Sequence, residues 1–307
     1  MDENSLTRQK KSDTDNVLPP VSELLQELLK DEQGIRFTYT NLDGDPVTLN
    51  PIEFAESDPH PLPMPIDREG YCPEELSHRF WEMGYADWQN VLDSTDRFLQ
   101  SNSSHQRIRL LDFGCASGRV LRHALTFSAD KVEPWGCDFA PTNIHWLKRH
   151  LPRGIRSFIN TAVPHLPFED NYFDVVTAFS VFTHIGQLED AWLLELRRIT
   201  RPSGLLYLTV QNDDSWSRVL QRPSAFNRLK KANEFENVVK VDEQLFSNPM
   251  PKQRIVLTMP GVKNYSYNVW HRNDYLKESW GQYFDVLHIG ANAHANYQSA
   301  AILRPSN

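Results

Sequence analysis

The chain has 307 residues and a formal net charge of −8, with 40% hydrophobic and 23% charged residues. That balance suits a globular protein with a sizeable core and disfavours a general nucleic-acid binder, which needs clustered Lys and Arg against phosphates. Cys72, Cys115 and Cys137 lack the spacing of a disulfide framework or a zinc site, so a reducing, cytoplasmic setting is expected. No apolar run suits a secretory signal or a bilayer span, so neither is expected.

In chain order, residues 1–16 are polar and expected to be disordered. Residues 17–103 read as an N-terminal helical and proline-rich cap. Within it, Leu24, Leu25, Leu28 and Leu29 mark a short amphipathic helix. Pro51, Pro59, Pro61, Pro63 and Pro65 suggest an extended linker. Tyr71 to Gln100 predicts an aromatic helix with Trp88, Val91, Leu92, Phe98 and Leu99 on one face.

From about residue 104 the pattern changes. Strands are predicted near 108–113, 132–137, 155–159, 173–179 and 204–210, separated by amphipathic helices. Leu188, Trp192, Leu196 and Ile199 mark the clearest helix. Such alternation implies an α/β fold, a parallel sheet covered on both faces. After the fifth strand comes an insertion, 211–270, that mixes Arg218, Arg222, Arg228, Lys230 and Lys231 with acidic residues. It reads as a solvated surface or as a lid able to recognise an anionic group on the acceptor. A hairpin pairing 255–258 with 265–269 around Pro260-Gly261 is expected, then a helix over 274–280 and closing strands at 284–289 and 298–303.

The densest signal is Asp112-Phe113-Gly114-Cys115-Ala116-Ser117-Gly118-Arg119, a strand joined to a helix through a two-glycine turn. Such a turn lets a ligand approach bare backbone at a helix start. Asp112 would repel a pyrophosphate but suits an ammonium group, as in S-adenosylmethionine. Asp138, at the end of the next strand, is placed to accept hydrogen bonds from ribose hydroxyls; its alternative is a helix N-cap. Cys115 reads as a small filler of the turn rather than a nucleophile.

These segments resemble the class I S-adenosylmethionine-dependent methyltransferases. The resemblance runs from about Ser104 to Pro305 and includes Gly136-Cys137-Asp138, Leu166-Pro167-Phe168-Glu169-Asp170-Asn171-Tyr172-Phe173-Asp174, Ser180 to Ile185, Trp192 to Ile199 and Arg201 to Leu206. It implies a Rossmann-like, doubly wound seven-stranded sheet, mostly parallel with an antiparallel C-terminal edge, and a methyltransferase domain over 104–305. It also implies S-adenosylmethionine as cofactor, held by Asp112, Gly114, Cys115, Gly118, Asp138, Phe139 and Phe179. The chain departs from the family pattern at Ala116, where a glycine is usual, and after the third strand. There Asn160-Thr161-Ala162 offers no carboxylate for adenine.

Ligands of open α/β sheets lie beyond the carboxyl ends of the strands, which makes His184 the candidate catalytic base. Tyr71, Arg79, Trp81, Tyr267 and His271 are substrate candidates, with His294 nearby in the tail. The expected function is methylation, at oxygen, of a small-molecule, sugar or glycan-linked acceptor. The alternative is a catalytically idle cofactor-binding regulator or partner. No nucleic acid, integral membrane segment or metal is expected.

Overall fold

The computed structural model describes residues 17–28, 36–68, 72–100, 107–224, 226–227, 229, 243–258 and 267–306. The expected disorder of 1–16 and the Pro260-Gly261 turn lie outside these residues.

Seven strands form one sheet: β5 (Ile108–Phe113), β6 (Val132–Asp138), β7 (Arg156–Ile159), β8 (Phe173–Ala178), β9 (Thr200–Val210), β12 (Phe284–His294) and β13 (Gln298–Pro305). Their order is β12-β13-β9-β8-β5-β6-β7. Pairs among β5 to β9 are parallel, whereas β13 runs antiparallel to both β9 and β12. From β5 the chain winds first toward β7 and then back through β8, so the switch point lies between β5 and β8.

Burial explains the element types. Every residue of β8, Phe173 to Ala178, is buried, as a central strand covered on both faces requires. Helix α6 (Glu189–Ile199) buries Trp192, Leu193, Leu196 and Ile199 at helical spacing and leaves Leu194 exposed. Pro141 opens α5 (Pro141–His150), a position where its missing N–H costs nothing. Two hydrophobic layers result. One joins Leu121 and Ala124 of α4 (Leu121–Ser128), Ile144 and Leu147 of α5, and Trp88 and Val91 of α3 (Ser77–Phe98). The other joins α6 to Leu276, Trp280 and Phe284.

The N-terminal region is more structured than its prolines suggested. Rather than a plain linker, it contains α2 (Ile52–Ala55) and β4 (Pro61–Pro63), which pairs antiparallel with β1 (Val17–Pro20). Buried Asp58 ties it down: Oδ2 accepts from Trp81 Nε1 of α3 at 2.8 Å and from Arg122 Nε of α4 at 2.6 Å. A further hairpin, β2 (Phe37–Thr40) with β3 (Pro46–Leu49), was not expected. Short α1 (Val21–Leu28) follows β1 as anticipated.

The region after β9 begins with α7 (Asp213–Gln221), capped by Asn212, whose side chain accepts from Ser215 N. The expected hairpin forms as β10 (Arg254–Thr258) and β11 (Tyr267–His271), with Val256 opposite Val269. It is a separate two-stranded sheet, fixed to the strand tips by Val269 N to Thr183 O and His271 N to Gln211 O, both 2.8 Å. Helix α8 (Asn273–Glu278) leads into β12.

Candidate active site

The turn after β5 needs backbone that side chains resist. Gly114 has φ +77° and Gly118 φ +84°. Ala116, at the place of the family's middle glycine, is also left-handed at φ +46°. Its N–H is used: it donates to Asp138 Oδ2 at 2.9 Å and locks the turn to the tip of β6. The other oxygen of Asp138 accepts from Ala140 N at 2.8 Å and from Asn143 Nδ2 at 3.3 Å. Asp138 is therefore not the N-cap of α5, a position Ala140 holds.

A cavity of about 640 Å³ opens over these tips, within the range of small-molecule sites. Its lining includes Asp112, Gly114 and Cys115 from the β5 tip, and Asp138, Phe139 and Asn160 from the β6–β7 side. Phe179 to Val181 and His184 contribute from the loop after β8, together with Tyr267, His294, Arg119 and Arg68. Of the cofactor candidates, all but Gly118 line this space. A Cβ at Gly118 would meet Leu151 Cδ1 at 2.7 Å, so that glycine serves close packing.

Electrostatically the cavity is a balance of buried charges. Asp112 is 2% exposed; Thr177 Oγ1 donates to its Oδ1 at 2.8 Å, and burial pushes its carboxyl up to about 7. Arg68 is equally buried, and its Nε and Nη1 have no hydrogen-bond partner among the described residues. Its Nη2 donates to Ser77 Oγ at 2.7 Å. Asn160 Oδ1 is likewise buried without a partner, while its Nδ2 donates to Thr161 O at 2.9 Å. Burial pushes the Cys115 thiol well above its usual range, which suits a filler and not a nucleophile.

His184 takes a defined tautomer. Its Nδ1 lies 2.7 Å from Tyr267 O, and a carbonyl only accepts, so Nδ1 carries a proton and the neutral ring has its lone pair on Nε2. The β10–β11 hairpin supplies that carbonyl and brings Tyr267 to the cavity.

The remaining substrate candidates lie elsewhere. Trp81 is 1% exposed, stacks on Tyr85 and donates to Asp58, so it packs the N-terminal region. Arg79 is exposed and absent from the cavity lining. His271 is fully buried away from the cavity. Its Nε2 meets Glu189 Oε2 at 2.7 Å, and Tyr275 Oη and Trp280 Nε1 each donate to Glu189 Oε1 at 3.0 Å. Tyr71 falls outside the described residues. Arg68, Arg119 and Ser180, by contrast, are cavity residues that sequence reasoning did not select.

A doubly wound sheet closed by an antiparallel pair, with an acid at each of two neighbouring tips, is the architecture of the class I S-adenosylmethionine-dependent methyltransferases. Residues 111–208 match the family model described as a methyltransferase domain, so this part of the chain is a domain of that class. A ubiquinone biosynthesis O-methyltransferase of Cereibacter sphaeroides is 32% identical over 126 residues, covering 40% of this chain and 49% of that enzyme. A sterol 24-C-methyltransferase of Schizosaccharomyces pombe is 30% identical over 132 residues, covering 39% of this chain and 32% of that enzyme. The chain thus spans about half, or less, of these curated relatives. A solved putative S-adenosylmethionine-dependent methyltransferase from Listeria monocytogenes is 12% identical, with a TM-score of 0.47, covering 72% of this chain and 99% of that one.

Proposed function

We propose that this protein transfers a methyl group from S-adenosylmethionine to a hydroxyl of a small-molecule acceptor, a class in which sugars and glycan-linked groups fall. Two acids at neighbouring strand tips and the unpaired atoms of Arg68 and Asn160 in the same cavity carry the cofactor half of this reading. Asp112 would accept from the ammonium, and Arg68 would donate to the carboxylate of the same amino-acid end. Asp138 would accept from the ribose, and Asn160 Oδ1 from the adenine amino group. Phe139 and Phe179 would pack against the ligand. Each of these groups offers what the cofactor lacks, so the residues fit it. They also answer the absence of an acid after β7.

When bound, the cofactor supplies an electrophilic methyl group. The chain's own task is then to hold the acceptor, exclude water and remove a proton. His184 would face the acceptor as a candidate base, and Tyr267 would border the acceptor. The O-methyltransferase among the relatives and a candidate base in the cavity favour oxygen.

Isothermal titration tests the reading. S-adenosylmethionine and its demethylated product should bind and NAD should not. Asp112→Ala and Asp138→Ala should each weaken binding at least tenfold, about 1.4 kcal/mol. Wild-type affinity in both variants would refute the assignment.

A further inference from the structure

On the β8 side of the cavity, Ser180 belongs to a hydrogen-bond chain whose direction is set at every step. Its backbone N–H donates to Thr209 Oγ1 at 2.7 Å, so Thr209 turns its own hydrogen to Gln298 Oε1 at 2.8 Å. That fixes the Gln298 amide, whose Nε2 donates to Ser180 Oγ at 2.8 Å. At the far end, His294 Nδ1 lies 2.9 Å from Asp87 Oδ2, a carboxylate that also receives Arg119 Nη1 at 2.5 Å. Burial alone would raise the Asp87 carboxyl, but His294 and Arg119 outweigh it and hold it below the usual range. An ionised carboxylate only accepts, so His294 Nδ1 carries a proton, and in the neutral imidazole Nε2 is then the acceptor. Ser180 Oγ stands 3.2 Å from Nε2 and, already accepting from Gln298, directs its hydrogen there.

The arrangement is a serine, an imidazole and a carboxylate in series, the geometry that activates hydroxyl groups in unrelated folds. Ser180 and His294 line the cavity; Asp87 is 1% exposed and stands behind them. Ser180 also has φ +58°, a left-handed conformation that costs a non-glycine residue energy and so must be over-determined by its surroundings. The other cavity imidazole, His184, has a carbonyl on Nδ1, which stabilises an imidazolium less than a carboxylate does.

We propose that Ser180, His294 and Asp87, in place of His184, form the proton relay that deprotonates the acceptor hydroxyl, an inference that otherwise rests on the methyltransferase reading above. The acceptor O–H bond breaks and its proton joins Ser180 Oγ. The Ser180 proton moves to His294 Nε2, and the electron pair stays on the acceptor oxygen. The relay ends as imidazolium beside carboxylate. Ser180 and His294 are then catalytic residues, and Asp87 positions His294. The acceptor is specified by chemistry, since a group that arrives already deprotonated gains nothing from the relay.

An acceptor-independent assay reads the relay directly. A small fluorophosphonate attacked by Ser180 Oγ forms a P–O bond and expels fluoride, and the serine proton passes to His294. Intact-mass and peptide analysis of the wild-type protein should show one adduct, on Ser180, absent from Ser180→Ala. Labelling should slow about 100-fold in His294→Gln and Asp87→Asn, within the range for a positioned base. Calorimetric binding of S-adenosylhomocysteine to each variant confirms that the cavity has folded. Labelling equal in wild type and His294→Gln, or no Ser180 adduct in wild type that binds S-adenosylhomocysteine, would overturn the relay and leave the methyltransferase reading standing. Loss of S-adenosylhomocysteine binding by wild type would overturn both.

Discussion

Replacing Asp112 by Asn should stabilise the ligand-free protein while it weakens cofactor binding. Burial raises the Asp112 carboxyl from its ordinary 3.8 to about 7. The sign follows from that direction. Below pH 4 the carboxyl is protonated both folded and unfolded; between pH 4 and 7 the unfolded chain ionises first, and stability falls as pH rises. Above pH 7 the folded state bears the full cost of a buried carboxylate, about 4 kcal/mol from the shift of 3.8 to about 7. Asn keeps an oxygen for Thr177 Oγ1 and removes the charge. Urea unfolding at pH 8 should show Asp112→Asn more stable by up to about 4 kcal/mol, with the difference vanishing near pH 4. The ammonium of the cofactor needs the ionised form, so wild-type affinity should fall roughly tenfold per pH unit below 7. The variant should lose a charge-assisted bond worth about 1.5–3 kcal/mol at pH 8 and show little pH dependence. A less stable Asp112→Asn protein at pH 8, with wild-type affinity flat from pH 6 to 8, would refute the reasoning.

Arg68→Gln should weaken S-adenosylmethionine about tenfold in calorimetry, a loss of roughly 1.4 kcal/mol, and leave the decarboxylated analogue unaffected. Equal losses for both ligands would remove Arg68 from the carboxylate. Gly114→Ala should destabilise by about 1–3 kcal/mol, because its Cβ would overlap Val181 Cγ2 in a left-handed turn. Adding Val181→Ala should relieve only the overlap, which paired thermal melts would show. Glu189→Gln should cost about 3–5 kcal/mol by breaking a buried cluster in which Glu189 ion-pairs with Arg254 at 2.8 Å and meets His271 Nε2 at 2.7 Å. Burial alone would raise the Glu189 carboxyl, but His271, Arg254 and Trp280 hold it at about 2, so its contribution is complete above its ordinary 4.5 and lost as pH falls through 2. An unchanged urea midpoint at pH 7 would contradict this.

What the sequence disclosed was local. Asp112, Gly114 and Asp138, which line one cavity, could be picked out together because chain neighbours supply both the backbone conformation and the acid. Alternation alone placed β5, β6, β8 and β9 close to their observed bounds. The Asp43-Gly44 pair between alternating stretches was a legible hairpin signal for β2 and β3 that went unread. Arg68 was hidden because prolines masked a folded segment anchored by a buried ion pair. Ser180, His294 and Asp87 lie 114 and 207 positions apart in successive pairs, and no spacing rule joins such residues before the sheet and α3 bring them together. Trp81 and His271 show the converse: aromatic and imidazole side chains chosen for chemistry were taken up by packing and by a buried carboxylate.

The most direct measurement is a crystal structure of the protein with S-adenosylhomocysteine. It should show the ribose hydroxyls on the Asp138 carboxylate and the ligand ammonium within hydrogen-bond distance of Asp112. A ligand seated outside this cavity, or one whose sugar and amino group avoid both acids, would contradict the account.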